Sequence, residues 1–432
     1  MSKTPAIQFQ DNLQPQNSNK TKWGVLFAFC YLAFSNVLGF VSYSPISNNA
    51  AFYYSISLND LFWIGNMYYI TFFIFGPLFI PLLEKRLDLC LKLSSILTTL
   101  GTWIIWIAES NYATFLWELA KPFIQVYQFV SLQLFIQIKD LSEVWFTAYD
   151  RTLATCFGSY ATLAGIMVSY TYSSFYFSGF EEQNTVNHKI NNLNLIIAIL
   201  NSLSIPICFI FIKYKHQSGK QTEDNIKFFY QFFNIFKNEE FFLDLMAFSF
   251  FIGISWVYIS IISLQLYIFG FTQLEVGITG IFFTGSGILA GIWCSFKLDQ
   301  EAKQGKQPNY DIFIKITTLI GFFALLLEAF TIQYLSIYAL ILLNIFNGIG
   351  LNVIYPVAIE AFVEKLYPMK SLIVATWVFG LANLLGFALN YLLIFPVLME
   401  YGLWLTLAIL TPFELYFILF YKSRYRRFEL SN

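Results

Sequence analysis

Residues 23–43 read WGVLFAFCYLAFSNVLGFVSY. A helix needs roughly 20 mostly apolar residues to cross a bilayer, and the run from Trp23 to Tyr43 supplies that length without a charge. Inside hydrocarbon every backbone N–H and C=O must be bonded within the chain, so the run is predicted to be helical. Eleven more segments of the same kind follow, near Leu61–Leu83, Leu91–Ala108, Phe115–Gln137, Thr152–Phe177, Leu193–Ile212, Phe241–Phe269, Leu274–Phe296, Ile312–Ile332, Ser336–Ala358, Ser371–Val397 and Leu403–Tyr421. The chain is predicted to be an all-α integral membrane protein with twelve transmembrane helices, and the lipid bilayer is its first partner.

Composition agrees. Charged residues make up 12% of the 432, about half the roughly 25% of soluble proteins. A net charge of -1 offers no basic face, so no nucleic-acid partner is expected. Aromatics reach 20%. Phe, Ile, Asn, Tyr and Lys are abundant together, which is the mark of codon bias, so the aromatic count by itself marks no site. Cys30, Cys90, Cys156, Cys208 and Cys294 fall in or at the ends of predicted helices and are expected as buried thiols without disulfides. His188 and His216 are read as loop residues. No metal-ligand cluster, Ser/His/Asp set or phosphate-cradling loop is visible, so no enzyme, metal or cofactor is expected.

Basic residues fix the expected orientation. Of the 25 Lys and Arg, all but Lys121 and Lys189 fall on one side of the predicted helices. That side is expected to be cytosolic, with both termini on it. Residues 1–22 are polar, without the basic-then-apolar order of a cleaved signal. They are expected to be a disordered terminus, and segment one to act as the uncleaved targeting signal. The polar, charged loop 213–240 divides the chain into bundles 23–212 and 241–421, followed by a tail, 422–432. Two six-helix halves around a central loop resemble the plan of the major facilitator superfamily, in which substrate sits between the halves at mid-depth.

Two short loops sharpen that resemblance. Glu84-Lys85-Arg86 stands between segments two and three, and Lys297-Leu298-Asp299 stands at the matching place after segment eight. An acid beside basic residues there is similar to the superfamily's loop motif, which latches the inner side. Glu84, Arg86 and Asp299, with Glu360 and Glu364 at the end of segment ten, are the expected gating residues. Glu118 and Lys121, three apart in segment four, are expected to pair on one face; a gating or proton-coupling role is the alternative. Glu328 and Glu414 are alternative coupling acids. No acid falls on a cavity stripe at mid-membrane, so the sequence reads as a facilitated carrier. Gly277, Gly280, Gly285, Gly287 and Gly291 make segment eight smooth, while Gly348, Gly350 and Pro356 interrupt segment ten. These suit either sliding or tight static packing.

Polar stripes mark the expected interior. Asn36, Phe40 and Tyr43 share one helical face, as do Ser255, Tyr258, Ile262 and Gln265. Thr376, Asn383 and Asn390 repeat every seven residues in segment eleven. Lipid disfavours such stripes, so they are expected to face the bundle interior. Plain helix–helix hydrogen bonding predicts the same pattern.

Segment one, from Lys22-Trp23 through Asn36–Phe40 to Tyr43-Ser44-Pro45-Ile46-Ser47-Asn48, resembles the first helix of the feline leukemia virus subgroup C receptor-related transporters. Segment ten and its exit, residues 355–368 (YPVAIEAFVEKLYP), are similar to that family's Pro-Val…Glu…Val-Glu…Tyr-Pro run. Gly101-Thr102-Trp103-Ile104 and Val144-Trp145-Phe146 add support. The resemblance covers nearly the whole chain. It implies a major facilitator fold and a carrier linked with haem, choline or ethanolamine, holding a quaternary amine in an aromatic pocket. It places Phe40 where the family has tryptophan, Tyr258 on the family's tyrosine, and Asn383 and Tyr160 where the family has glutamines. Phe40, Tyr160 and Tyr258 would form a cage, since each aromatic face attracts a cation by about 0.5–2 kcal/mol. Asn36, Gln265, Thr376 and Asn383 would complete the substrate-binding set.

The expected function is a monomeric transporter of a small-molecule substrate, choline- or ethanolamine-like, in the plasma membrane or an internal membrane. Haem or a vitamin such as pyridoxine is the alternative cargo; with both histidines read as loop residues, no axial ligand is visible at mid-depth. A non-transporting receptor or assembly subunit is the alternative of another class. It would have filled the seam with apolar side chains.

Overall fold

The computed structural model describes residues 19–54, 56–110, 138, 141, 142, 144–146, 150–177, 183–213, 233, 236, 239–367, 369–393 and 395–424. The long helices are α1 (Asn19–Val41), α2 (Leu58–Ser110), α3 (Arg151–Tyr176), α4 (Gln183–Phe211), α5 (Glu239–Ile268), α6 (Gln273–Lys303), α7 (Tyr310–Thr331), α8 (Ile337–Leu366), α9 (Ser371–Leu392) and α10 (Gly402–Leu419). Among the described residues, ten helical stretches are long and apolar enough to cross a membrane. α1 is segment one, α2 holds segments two and three, and α3 to α10 are segments five to twelve. Segment four, with Glu118 and Lys121, lies outside the described residues.

The differences from expectation have local causes. α1 starts at Asn19, not Trp23, so residues 19–22 of the expected disordered terminus are helical. The added turn is held where Lys22 Nζ reaches Asp150 at 3.4 Å and lies 5.4 Å from the Phe146 ring centre. α2 runs through the expected loop but breaks at Arg86, with φ -144° and ψ 60°. The Arg86 guanidinium donates to Asp88 at 3.2 and 3.4 Å, an acid in the first turn after the break, where the helix dipole favours it. α9 ends at Leu392 rather than Val397, and a short helix Pro396–Glu400 follows; proline has no N–H with which to continue the ladder. His188 lies in α4, exposed near its start, rather than in a loop. None of the five cysteines forms a disulfide, and all but Cys30 are buried.

Helix entry follows side-chain chemistry. Thr272 caps α6 by a reciprocal box: its hydroxyl accepts from Glu275 N–H, and Glu275 accepts from Thr272 N–H at 2.8 Å. The Ser336 hydroxyl caps α8 by accepting from Ala339 N–H.

α1 packs on α3 and α4, and α2 on α4. On the other side α8 packs on α6, α7 and α5, and α10 on α7 and α5. Two helix pairs make the main joints between the sets, α3 with α6 and α2 with α9, and α3 also touches α8. Both joints depend on glycine. A Cβ at Gly277, Gly280 or Gly291 of α6 would meet Ser174, Tyr170 or Tyr160 of α3, and one at Gly386 of α9 would meet the Tyr69 ring of α2. Small residues let helix backbones approach where lipid supplies no hydrophobic drive.

Candidate functional site

The seam between the two helix sets carries the candidate site. Tyr160 of α3 is buried, and its hydroxyl donates to the carbonyl of Asn352 on α8 at 3.2 Å. It passes over Gly291, where an added Cβ would lie 1.6 Å from the hydroxyl oxygen. On α5, Trp256, Ser260, Leu264 and Tyr267 are half-buried, while Val257, Tyr258, Ile259, Ile261 and Ile262 are buried. The far end of that stripe reaches the other set, because Tyr267 Oη donates to Pro45 O at 2.7 Å. The Trp256 ring lies 5.9 Å from both Tyr355 of α8 and Phe379 of α9, and those two are 5.5 Å apart.

Tyr258 takes the opposite face of α5. Its ring packs at 4.7 Å on Phe283 of α6, and its hydroxyl lies 2.6 Å from Glu328 Oε2 of α7 and 3.0 Å from Asn344 Oδ1 of α8. Asn347 Nδ2 donates to Tyr258 Oη at 2.9 Å and to Glu328 Oε2 at 2.7 Å. Asn344 Nδ2 donates to Glu328 Oε1 and to Leu340 O, each at 3.0 Å. The two tyrosines of the expected cage therefore engage different partners, although both end on α8. Asn347 and Asn352 are five residues apart, about 7.5 Å along a helix.

The other expected residues are distributed as follows. Phe40 stands on α1 and Glu84 on α2; their side chains lie outside what is described. Asn36 is buried and donates to Thr98 Oγ1 of α2 at 3.2 Å, within one helix set. Gln265 donates to Glu400 O at 2.8 Å and holds the short helix Pro396–Glu400 against α5. Asn383 and Thr376 are buried, turned into the protein, and each donates to its own helix at Phe379 O and Leu372 O, both 2.7 Å. Asn383 Oδ1 is buried without a hydrogen-bond partner.

At the end of the protein that carries the basic loops, the two sets are clamped. Asp299 of α6 accepts from Leu153 N–H of α3 at 2.9 Å, and Glu360 of α8 accepts from the Thr155 hydroxyl at 2.9 Å. Asp150, which precedes α3, reaches Lys303 of α6 at 2.8 Å and Lys22 of α1 at 3.4 Å. Partial burial raises the Asp150 carboxyl; the two ammonium groups more than offset this and hold it below the ordinary carboxylate range. Glu364 is half-buried on the same end of α8, and Arg86 bonds locally to Asp88. Asp150, Thr155 and Lys303 were not among the expected gating residues. Their signal was an acid immediately before Arg151 at a helix start. Asn344, Asn347 and Trp256 were missed too, although Asn344 and Asn347 stand three apart on one face.

No family model matches the chain. An uncharacterised transporter of the major facilitator type from Caenorhabditis elegans is 23% identical over 409 residues, which cover 90% of this chain and 66% of that protein. The choline/ethanolamine transporter flvcr2a of Danio rerio is 21% identical over 387 residues, 84% of this chain and 78% of its own length. The chain thus spans just under two thirds of the worm relative. Both relatives agree with the resemblance read from the sequence. Among solved structures, FucP in its outward conformation superposes with a TM-score of 0.64 at 14% identity over 91% of this chain and 98% of its own. The proton:xylose symporter XylE superposes with a TM-score of 0.67 at 13% identity over 96% and 99%. The fold is that of the major facilitator superfamily.

Proposed function

We propose that this chain, with its major facilitator fold and its likeness to the feline leukemia virus subgroup C receptor-related branch, is a membrane transporter. It carries a small organic cation of the choline or ethanolamine kind by alternating access between bundles 23–212 and 241–421, as a monomer. The observation that carries the reading is the seam. The main joints, α3–α6 and α2–α9, bring the bundles together through close glycine contacts, small-residue surfaces that suit a moving seam, and buried polar groups turn towards the interior rather than to lipid. The name of the zebrafish relative supports the substrate class.

A cation in low dielectric needs compensation, and aromatic faces give about 0.5–2 kcal/mol each. Trp256 is one of two half-buried aromatics on the α5 stripe, with Tyr355 and Phe379 behind it; the other, Tyr267, bonds to Pro45 just after α1. Trp256 is the surface offered to the substrate's cationic head. The basic-loop end faces the cytosol, with both termini, by the distribution of Lys and Arg; the membrane is the plasma membrane or an internal one. The test is uptake of labelled choline and ethanolamine by liposomes holding the purified protein. Saturable uptake that drops in W256A supports the reading. Flux equal to that of empty liposomes for both compounds rejects the substrate class.

A further inference from the structure

Glu328 is fully buried on α7, a helix that presents Phe323, Leu327 and Phe330 outward. Among the described residues no Lys, Arg or His forms an ion pair with it; the ion pairs there join Lys22 and Lys303 to Asp150, Arg86 to Asp88, and Lys365 to Asp244. An ionised carboxylate buried without a cation is strongly disfavoured. The hydrogen bonds around it say how this is avoided.

The cluster can be counted hydrogen by hydrogen. The two amide hydrogens of Asn344 go to Glu328 Oε1 and Leu340 O. The two of Asn347 go to Glu328 Oε2 and Tyr258 Oη. Tyr258 owns one hydrogen but stands within bonding distance of two acceptors, Glu328 Oε2 at 2.6 Å and Asn344 Oδ1 at 3.0 Å. With Glu328 ionised, Asn347 still donates to Oε2, but only one of the two Tyr258 contacts can hold a hydrogen, and the other sets oxygen against oxygen. A proton on Oε2 fills both contacts: the Glu328 hydroxyl donates to Tyr258 Oη, and the Tyr258 hydroxyl donates to Asn344 Oδ1, while Asn347 Oδ1 stays a buried acceptor without a hydrogen bond. The same proton removes the buried charge.

We propose that Glu328 carries a proton in this packed state, and that the Tyr258–Glu328–Asn344–Asn347 cluster is a proton-binding site that sets the balance between the carrier's conformations. The inference rests on the carrier reading only for its last clause. The cluster spans three helices, so it holds only while α5, α7 and α8 keep their present register. Two helical turns from Glu328, at Gly321, α7 meets α8 backbone to backbone, where a Cβ at Gly350 would lie 2.1 Å from Gly321 Cα. A slide at that crossing draws Asn344 and Asn347 away from the carboxyl and admits water. The O–H bond of Glu328 then breaks, its electron pair stays on Oε2, and the proton passes to water.

The titratable neighbours are few. From α5 the group facing Glu328 is Tyr258; from α8 the facing groups are the two neutral amides. The charged Glu360, Glu364 and Lys365 of α8 lie at its far end, thirteen or more residues beyond Asn347. On α10, Glu414 accepts from Thr318 at 3.2 Å, ten residues from Glu328 and about 15 Å away along α7. Glu275 of α6 is engaged in capping its own helix.

Two measurements test this without a substrate, so they are independent of the choline assay. The first is infrared spectroscopy of the carbonyl stretch of protonated carboxyl groups in wild type, E328Q and E414Q. The expected result is a band lost in E328Q and kept in E414Q; an E328Q spectrum matching wild type overturns the proposal. Thermal unfolding checks that E328Q folds. If it does not, Y258F removes the acceptor of the Glu328 proton and is expected to shift the same band, and an unshifted band overturns the proposal. The second is the distance between spin labels at K85C and K306C in liposomes stepped from about pH 5 to about pH 9, the range within which buried carboxyl groups are known to give up their protons. Wild type is expected to pass to a second distance as pH rises, and E328Q to stay. A wild type that does not move, or an E328Q that moves equally, overturns the coupling.

Discussion

The hydroxyl of Tyr160 rests against the bare Cα of Gly291, so close that a methyl group there would sit 1.6 Å from the oxygen. One residue belongs to each bundle, and the contact fixes how near α3 and α6 can come. G291A is therefore expected to push the bundles apart and destabilise the protein by about 1–3 kcal/mol, the cost of overpacking. The check is thermal unfolding in detergent, with Y160F as the companion. Losing only the bond to Asn352 O, Y160F should cost about 1 kcal/mol. A G291A melting temperature equal to wild type contradicts the packing described.

Removing the Tyr258 hydroxyl takes one partner from a buried carboxyl group. Y258F is expected to lower stability by about 1–3 kcal/mol, the penalty for a buried polar group left short of a partner. Glu328, Asn344 and Asn347 share that loss, so the double variant Y258F/E328Q should be less destabilised than the sum of its parts. Additive effects in thermal unfolding argue that the cluster is not a unit.

Cys156 is fully buried beside Thr155, whose hydroxyl donates to Glu360 across the bundles. The native thiol is thus a reporter of the clamp. A hydrogen bond to a charged group contributes about 1.5 kcal/mol or more, which is about tenfold in an opening equilibrium. E360A is expected to raise the rate of Cys156 modification by a thiol reagent by about that factor. An unchanged rate shows that Glu360 does not hold the end shut.

The Asp150 bridge titrates with a definite sign. Its carboxyl is held below the ordinary range in the folded protein. It therefore stabilises above the unfolded value of about 3.9, and that stability is lost as pH falls through the lower folded value. Lys303 is 55% exposed, so the contribution is at most about 1 kcal/mol and is screened by salt. The gap in melting temperature between wild type and D150N should narrow at high salt and in acid. A gap that widens with salt points to a different role for Asp150.

What was legible in the sequence follows from which solvent imposed it. Hydrocarbon demands a closed backbone ladder, so residues 23–43 announce a helix by length alone. The charges at 84–86 announce a break, found at Arg86. Asp299 and Glu360 stood out in the sequence as acids near the ends of apolar segments, and the structure gives each a hydrogen bond from α3. The pairing of Tyr160 with Gly291 was not, because it depends on the register of two helices more than a hundred residues apart. The facing of Tyr258 was not legible either. The sequence put Tyr258 on a face with Ser255, Ile262 and Gln265, but nothing in that stripe names its partners on other helices; only the structure shows Trp256 against Tyr355 and Phe379, and Tyr258 turned to Glu328.

The central claim is that the two bundles rock about the α3–α6 and α2–α9 seams. The direct measurement uses spin-label distances in liposomes at both ends of the protein, K85C with K306C at the basic end and N184C with Y334C at the other, with and without choline. Rocking predicts opposed changes: as one pair separates, the other closes. A single unchanging distance at both ends under every condition contradicts the account.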